Sequence, residues 1–399
     1  MTHRVWLVAL AALALTAGGT GTTAAASAQQ QVSLPFTLPT QPMSAADLAE
    51  LPTPDVVGAR AIGDYDAPAV MYGVWDPARG TALRAFGLSN RETGAPASPD
   101  QSFRIASITK TFTATAVLLL VDDGRVRLDA PVARYVGTLT DPLPGGGSAT
   151  VRRLLNMTSG FPDYGHRTDG PFTTAALTPQ RVWTPAQLVR VAARYAPEQP
   201  GVFSYSNTNY VILGELVARV SGMPFGTFVR GRILEPLALT DTRIPSPTRT
   251  APVVMHGYLD ASGERIERAG TDATDWSTSA AGAAAGGVST LEDLARWAAA
   301  DFGNALLSPR TRAARLRRVP SSHLLRGSAY GLGLQIEQGW HFHIGELFGW
   351  ESLAIASPRT GRVVVVVRNA CCGSPFETYL TAREAMPALA PVVDPVYRR

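Results

Sequence analysis

The sequence predicts an α+β domain: one antiparallel sheet completed by both ends of the chain, flanked by helices, with a mostly helical insertion. Three observations support this fold class. Strand-like segments occur early and late in the chain, helical segments lie between them, and 45% of the 399 residues are hydrophobic, enough for a large core. The order of the elements therefore places the two ends of the domain in the same sheet.

The N-terminal segment has the pattern of a secretory signal peptide. Arg4 precedes the apolar run Val5–Leu15, and small residues then lead to a cleavage site at Ala26–Ala28. The run is short for a membrane span, although an uncleaved anchor is the alternative. We therefore expect a signal peptide at 1–28, no stable membrane span in the mature chain, and a secreted or cell-envelope (periplasmic) location.

The next segment, 29–60, is rich in Gln, Pro, Thr and Ala and shows no sustained periodicity. It predicts a linker or N-terminal extension ahead of a domain at 61–399. Within that domain, Ala69–Trp75 and Thr81–Leu88 have strand character and predict a hairpin.

Three helices are predicted at Thr109–Asp123, Asn209–Ser221 and Leu291–Asp301. Apolar residues recur along each of them. Thr290 and Asp293 at the start of the third are spaced as in a capping box.

The C-terminal part predicts antiparallel strands, because short turns separate its apolar segments. The run Val363–Val367 has no polar alternation and is expected to be covered on both faces. A closing helix is expected at Tyr379–Ala388. The predicted strands are Tyr330–Glu337, Trp340–Gly345, Ser352–Ser357 and Val363–Arg368.

Net charge, an arginine-rich stretch and two cysteines bear on possible partners and on the redox state of the protein. The net charge of +4 gives no case for nucleic-acid binding. Arg310–Arg318 carries five arginines, for which a solvated helix face is favoured over a surface that meets acidic polymers. The adjacent Cys371 and Cys372 form either a strained bond or two unpaired thiols, and both alternatives stay open.

Ser107 and Lys110 are the first candidate catalytic pair. They lie three residues apart at the start of a predicted helix, so their side chains share a face. Lys110 is the only Lys among 36 Lys and Arg residues, and a partly buried Lys can lose its proton whereas Arg cannot. A neutral Lys activates a serine nucleophile, and the positive helix end favours developing negative charge. An N-cap Ser with an exposed Lys is the alternative.

Tyr205 and Asn207 precede the second predicted helix. A phenol near a catalytic Lys can give and take protons, and an amide can orient both the Lys amine and a substrate amide. The alternative is an ordinary N-cap segment, since Ser206, Asn207 and Thr208 all suit that position.

His343 and Gly345 lie on a predicted strand near the sheet edge. Gly345 would let a substrate backbone approach closely, and His343 can bind a carboxylate or relay a proton. His341 points to the same face, but no third ligand for a metal site is evident.

Together these segments resemble the penicillin-recognising serine hydrolases, and within them the class C β-lactamase and D-alanyl-D-alanine carboxypeptidase group. The three motifs S-x-x-K, Y-x-N and [KH]-[TS]-G occur here in order as Ser107–Lys110, Tyr205–Asn207 and His343–Gly345. The resemblance covers roughly residues 65–390. Further similar segments are Leu154–Gly160, Tyr205–Leu213, Gly286–Leu294 and Tyr330–Gly333.

The resemblance implies a β-lactamase-like fold and an acyl-enzyme that needs neither metal nor cofactor. Water would then hydrolyse the acyl-enzyme. It assigns catalysis to Ser107, Lys110 and Tyr205, substrate binding to Asn207, His343 and Gly345, and the oxyanion hole to the backbone N–H groups of Ser107 and Glu346.

The third motif departs from the family pattern, because Ile344 stands where a hydroxyl residue usually contacts a substrate carboxylate. We expect an exported D-alanyl-D-alanine carboxypeptidase-like or β-lactamase-like enzyme whose substrate is a cell-wall peptide, a β-lactam or an ester. An esterase of the same fold, which Ile344 favours, and a catalytically idle binding protein for cell-wall peptides are the alternatives.

An α/β-hydrolase is disfavoured because the chain has no G-x-S-x-G, and a zinc hydrolase because it has no H-E-x-x-H. The oligomeric state stays open.

Overall fold

The computed structural model describes residues 32–49, 67–165, 169–244, 252–259, 270–303, 305–321 and 328–371, which belong to one unit spanning Gln31–Arg399. Its helices are α1 (Ala45–Ala49), α2 (Thr109–Asp122), α3 (Ala133–Val136), α4 (Val151–Leu155), α5 (Pro185–Ala192), α6 (Asn207–Ser221), α7 (Phe225–Val229), α8 (Gly282–Ala285), α9 (Leu291–Phe302) and α10 (Pro309–Arg315). Short 3-10 turns occur at Ala106–Ile108, Gly137–Thr140 and Ala175–Leu177, and a π-helical turn at Arg230–Leu234.

The strands form one large antiparallel sheet and two small ones. They are β1 (Ala69–Asp76), β2 (Gly80–Asn90), β3 (Ala95–Pro96), β4 (Phe103–Arg104), β5 (Tyr258–Leu259), β6 (Val288–Ser289), β7 (Val319–Pro320), β8 (Ala329–Tyr330), β9 (Gln335–Glu337), β10 (Trp340–Leu347), β11 (Trp350–Ala356), β12 (Val363–Arg368) and β13 (Ala370–Cys371).

The large sheet confirms the predicted fold class. Its nine strands follow the order β3-β2-β1-β12-β11-β10-β9-β8-β7, and each neighbouring pair is antiparallel. Strand β1 from the start of the domain pairs with β12 from its end, from Val70 opposite Arg368 to Trp75 opposite Val363. The early and late strands are therefore neighbours in the middle of one sheet.

Strand β12 has apolar neighbours on both faces, as its unbroken run of valines predicts. Val363, Val365 and Val367 pack in the main core with helices α2, α6 and α9. Val364 and Val366 pack in a second cluster on the opposite face. Burial on both sides explains why the run shows no polar alternation.

The predicted strand Tyr330–Glu337 is wrong as a single element. It forms two strands, β8 and β9, which fold back on each other with Tyr330 opposite Gln335. Gly333 lies in the turn between them with φ +84, and a Cβ there would lie 2.1 Å from Ala114 Cβ on helix α2. Gly333 has a left-handed conformation and packs closely against helix α2, so the chain turns at this residue. The apolar pattern alone predicts that the strand continues through it.

The three predicted helices are confirmed with small shifts at their ends. Helix α6 begins at Asn207, two residues early, because Ser206 takes the extended N-cap conformation. At α9, Thr290 Oγ1 accepts from Asp293 N at 3.3 Å, but the Asp293 carboxylate accepts from Thr242 Oγ1 instead of returning to Thr290. Half of the predicted capping box is therefore present.

Residues 32–49, which fall in the predicted linker, are attached to the domain. Thr81 N donates to Gln41 O at 2.8 Å, and Met43 N donates to Thr81 O at 3.0 Å, so this segment extends the edge of β2. Met43 is buried in the cluster on the outer face of the sheet. The predicted signal peptide at 1–28 and the closing helix Tyr379–Ala388 lie outside the described residues.

The arginine-rich stretch Arg310–Arg318 is only partly a solvated face. Arg315 is fully buried and its guanidinium forms two 2.7 Å hydrogen bonds to the Asp301 carboxylate.

Cys371 is buried in β13, whereas Cys372 lies beyond the described part of the chain. Within the ranges described, no single helix is long and apolar enough to cross a membrane; Asn207–Ser221 and Phe225–Leu234 meet that test only jointly, across a 74° bend.

Candidate active site

Ser107 lies in the 3-10 turn that leads directly into helix α2. Ala106, just before it, has φ +46, a strained conformation for a residue with a Cβ. Thr109 secures the turn: its Oγ1 donates to Ala106 O at 2.6 Å and accepts from Gly287 N at 2.9 Å. The nucleophile candidate is therefore presented on a backbone that its neighbours hold in place.

Lys110 is buried with its amine surrounded by three oxygen atoms. The Nζ atom lies 3.0 Å from Ser107 Oγ, 2.7 Å from Asn207 Oδ1 and 2.9 Å from Ala284 O. The Asn207 and Ala284 oxygens can only accept, so they take two N–H bonds of a neutral amine. The remaining lone pair of that amine then faces the Ser107 hydroxyl.

Burial lowers the pKa of Lys110 from its ordinary value to about 7, although the negative charge of Asp163 acts in the opposite direction. At neutral pH a large fraction of Lys110 is therefore uncharged. A neutral amine within hydrogen-bond distance of a serine hydroxyl has both the geometry and the basicity of a general base.

Tyr205 completes the group around the nucleophile. Its hydroxyl is hydrogen-bonded to Ser107, and its ring centroid lies 4.8 Å from Lys110 Nζ. Burial, reinforced by the neighbouring Tyr330, raises the pKa of Tyr205 well above its ordinary value. Tyr205 is therefore a neutral phenol, which suits it to pass a proton on while keeping its own charge unchanged.

Asp163 is a site residue that the sequence analysis missed. Its carboxylate accepts from Asn207 N at 2.8 Å and from Asn207 Nδ2 at 3.3 Å. These bonds orient the amide so that its oxygen faces Lys110. They also cap the start of α6, which Ser206 does not do, because the Ser206 hydroxyl donates to Pro162 O at 3.2 Å. A single Asp in a loop, 44 positions before Asn207, gives no sequence signal for this role.

Strand β10 passes alongside the Ser107 turn where it extends beyond β9. The β9 pairing covers only Trp340 to Phe342. A Cβ on Gly345 would lie 2.3 Å from Ile105 O and 2.9 Å from Ala106 Cβ. The glycine is therefore required for the close approach of the Ser107 turn. The predicted role of Gly345 in admitting a substrate backbone stays a prediction. Glu346, whose N–H is predicted to hold the oxyanion, follows directly on this strand.

His343 is buried, and both of its ring nitrogens are engaged. Nδ1 lies 2.6 Å from Ile344 O, and Nε2 lies 3.0 Å from Tyr330 Oη. A substrate carboxylate could reach this ring only if the bond to Tyr330 broke, so carboxylate binding by His343 stays a prediction. His341 Nδ1 has a separate partner, Phe302 O, at 2.9 Å.

Ile344 does not line the site. Its side chain is buried in the cluster on the outer face of the sheet, together with Phe342 and Leu353. Alternation along β10 therefore directs the unusual middle residue of the third motif away from Ser107.

An aromatic wall, defined here as Phe172, Trp276 and Phe348, stands beside the nucleophile turn. These rings belong to a small apolar cluster that includes Ala106. The Phe348 ring centroid lies 5.8 Å from Phe172 and 5.5 Å from Trp276. Phe172 is only partly buried, and a Cβ on its neighbour Gly165 would lie 3.3 Å from Asn207 Nδ2. The wall thus runs from the Asn207 side towards the end of β10, and no sequence pattern indicates it, because its three rings are far apart in the chain.

Comparison with known proteins gives a family match over most of the chain. Residues 48–381 match the Beta-lactamase family model. A putative penicillin-binding protein, PbpX of Bacillus subtilis, is 29% identical over 175 residues, and esterase EstB of Burkholderia gladioli is 32% identical over 165 residues. These matches cover 44% and 40% of this chain but only 41% and 42% of the two relatives.

Two solved structures resemble most of this chain. A D-stereospecific amidohydrolase from Streptomyces sp. has 29% identity and a TM-score of 0.70, with 84% of this chain and 98% of that chain covered. A D-amino acid amidase from Ochrobactrum anthropi SV3 has 27% identity and a TM-score of 0.72, with 87% and 99% covered.

Proposed function

The chain belongs to the Beta-lactamase family of serine hydrolases, and from this premise we propose that it cleaves amide or ester bonds through an acyl-enzyme on Ser107. One observation carries the proposal. The Lys110 amine lies 3.0 Å from Ser107 Oγ while two acceptor oxygens, Asn207 Oδ1 and Ala284 O, occupy its N–H bonds.

The proposed reaction begins when Lys110 takes the proton of the Ser107 hydroxyl, whose oxygen attacks the substrate carbonyl carbon. The backbone N–H groups of Ser107 and Glu346 hold the resulting oxyanion. The bond to the leaving nitrogen or oxygen then breaks, and that atom receives the proton from the Lys110 ammonium through the Tyr205 hydroxyl. Water attacks the acyl-enzyme, its proton returns along the same path, and Ser107 is regenerated.

We infer that the preferred substrates are amides or esters that carry no carboxylate beside the scissile bond. His343 is bonded to Tyr330, and Ile344 is directed to the other face, so neither side chain offers a carboxylate partner. The aromatic wall beside Ala106 favours an apolar acyl group. The two amide-hydrolysing structural relatives support the same substrate class, with D-amino acid amides as the first candidates.

A D-alanyl-D-alanine carboxypeptidase or β-lactamase activity is the second candidate. The ordered motifs at Ser107, Tyr205 and His343 favour it, as does the relative named a putative penicillin-binding protein. Both substrates bear a carboxylate, so this activity requires His343 to exchange its bond with Tyr330 for one with the substrate.

We also propose that the protein is exported to a secreted or cell-envelope location. The charged start, apolar run and small-residue site within 1–28 support this. N-terminal sequencing of protein recovered from the culture medium or envelope should begin at residue 29. A chain that keeps Met1 and stays in the cytoplasm would contradict it.

The functional proposal is tested with a substrate panel and two matched serine variants. p-Nitrophenyl acetate, p-nitrophenyl butyrate, D-phenylalanine amide and a chromogenic cephalosporin are assayed with the wild type, Ser107→Ala and Ser148→Ala. We expect turnover of esters or the amide, lost in Ser107→Ala and kept in Ser148→Ala, because Ser148 is exposed and bonded only to its own turn. Turnover of the cephalosporin above that of the amide favours the second candidate, and no turnover of any substrate favours the idle binding protein.

A further inference from the structure

A groove lined with arginine lies at the opposite end of helix α2 from Ser107. Its volume is about 1010 Å³, and its walls come from the end of α2, the loop that follows, and helices α3, α4 and α10. Helix α2 has 14 residues, which places the groove roughly 20 Å from the nucleophile at about 1.5 Å per residue. The groove is therefore separate from the candidate active site.

The charge in this groove is strongly one-sided. Five arginines and two aspartates line it, a formal balance of +3, which nearly equals the net charge of +4 carried by the whole chain. The arginines are Arg127, Arg134, Arg152, Arg310 and Arg317, and the aspartates are Asp122 and Asp129.

Both aspartates are already committed to partners within the protein. Asp122 accepts from the backbone and side chain of Ser308, at 2.8 and 2.6 Å, and from Thr311 Oγ1 at 2.5 Å. Asp129 forms a bidentate pair with Arg152 at 2.6 and 2.8 Å. Both carboxylates keep their charge, and that of Asp129 also acts on Arg317 and Arg127. The two aspartates can offset only two of the five arginines, so the groove stays positively charged.

Four guanidinium groups face solvent around that pair. Arg127, Arg134, Arg310 and Arg317 are exposed, and no ion pair within the described ranges joins any of them to a carboxylate. A concave surface lined by one sign of charge concentrates its potential and attracts counter-ions. The Arg fork matches phosphate oxygens, which it can bind through two hydrogen bonds.

We propose that this groove binds a linear polymer of phosphate groups that lacks nucleobases. A polymer fits better than a single phosphate, because the four arginines come from two stretches of chain, 121–134 and 308–317, around a space of about 1010 Å³, far larger than one phosphate group. Nucleic acid fits less well, since none of the described residues lining the groove is aromatic and bases would find no stacking surface. Binding here would hold the enzyme on an anionic polymer while the distant Ser107 site stays open.

Fluorescence anisotropy with labelled inorganic polyphosphate tests this proposal over a series of salt concentrations. The wild type should bind, with log K falling as log salt rises, because each phosphate contact releases counter-ions. In the triple variant Arg127→Gln, Arg134→Gln, Arg317→Gln we expect at least tenfold weaker binding at 0.1 M salt and a shallower slope. A labelled poly-glutamate and a single-stranded oligonucleotide of similar charge should both bind more weakly than polyphosphate.

A charge-matched control separates the groove from general electrostatics. The variant Arg91→Gln, Arg190→Gln, Arg243→Gln removes three exposed arginines elsewhere and should bind like the wild type. Equal weakening in both triple variants, poly-glutamate or oligonucleotide binding as tight as polyphosphate, or no binding by the wild type at 0.1 M salt would overturn the proposal. Thermal unfolding verifies that both variants are folded. Because the assay measures binding and not turnover, its result does not depend on whether Ser107 forms an acyl-enzyme.

Discussion

At the scale of single residues, the basicity of Lys110 and its orientation arise from two different neighbours. Burial lowers its pKa to about 7, and the Asp163 charge opposes that shift. Asp163 also holds the Asn207 amide, whose oxygen takes one of the Lys110 N–H bonds. The same carboxylate therefore influences both the charge of the base and the direction of its lone pair.

The pH dependence of hydrolysis should report this arrangement. Since only neutral Lys110 accepts the Ser107 proton, kcat/KM for p-nitrophenyl acetate should rise with pH through about 7. Asp163→Asn removes a charge that raises the Lys110 pKa, so the rise should move to lower pH. The control Asp169→Asn, at an exposed ion pair with Arg194, should leave the profile in place. A rise that moves to higher pH in Asp163→Asn would contradict the assignment.

The shift in Lys110 also has a defined effect on stability. Its folded-state pKa lies below the unfolded value, so between about pH 7 and 10.5 the unfolded chain binds a proton that the folded chain does not. The Lys110 contribution to the free energy of unfolding therefore increases as pH rises through this window.

His343 is expected to position Tyr330 and not to select a substrate charge. His343→Gln should lower the rate of ester hydrolysis, but inhibition by phenylacetate relative to phenylacetamide should keep the wild-type ratio. This follows because the Nε2 atom of His343 is hydrogen-bonded to Tyr330 Oη at 3.0 Å and does not face open space. A selective loss of phenylacetate inhibition in the variant would instead identify His343 as a carboxylate-binding residue.

At the scale of elements, the site depends on how closely the Ser107 turn approaches strand β10. Gly345 permits that approach, because a Cβ there would meet the backbone oxygen of Ile105 at 2.3 Å. The Ser107 turn meets strand β10 through the backbone, and the Asn207 side chain joins the start of α6 to Lys110. No local sequence pattern records these contacts.

Gly345→Ala tests this contact. The added methyl group must displace backbone, so we expect a loss of stability of about 1–3 kcal/mol, typical of overpacking, and a clear fall in kcat. Gly147→Ala is the matched control, because nothing lies within 4 Å of a Cβ at that position. Chemical denaturation and ester kinetics measure both effects. Equal behaviour of the two variants would show that the approach of β10 is not tightly constrained.

The elements that could be predicted are those with a periodic pattern of their own. The hairpin at β1–β2, the apolar strand β12 and helix α2 follow directly from alternation, turn residues and unbroken apolar runs. The separation of β8 from β9 at Gly333 and the docking of 32–49 could not be predicted, because contacts with distant parts of the chain decide them. Ser107 and Lys110 could be identified from the sequence because they lie one helical turn apart. Asp163 could not, because it lies 44 residues before Asn207, the residue that it holds.

At the scale of the whole molecule, the fold gathers three distant segments into the aromatic wall beside the nucleophile. Phe172, Trp276 and Phe348 come from separate parts of the chain and meet around Ala106. Such a wall contributes apolar contact area to the acyl side of a substrate, and about 25 cal/mol is gained per Å² of apolar surface removed from water.

Phe172→Ala should therefore change selectivity more than rate. We expect kcat/KM for p-nitrophenyl butyrate to fall by roughly tenfold, as for loss of one to two kcal/mol of apolar contact, with little change for the acetate. Leu83→Ala, an exposed apolar position on β2, is the control. An unchanged ratio of butyrate to acetate hydrolysis would show that Phe172 does not contact the acyl group.

The acyl-enzyme on Ser107 can be trapped and identified. The mature protein is mixed with p-nitrophenyl butyrate, quenched in acid within the first turnover, digested and examined by peptide mass spectrometry. We predict that the peptide containing Ser107 gains one butyryl group, and that Ser107→Ala shows neither the adduct nor a burst of p-nitrophenol. A butyryl group on another residue, or hydrolysis by Ser107→Ala at the wild-type rate, would contradict this account.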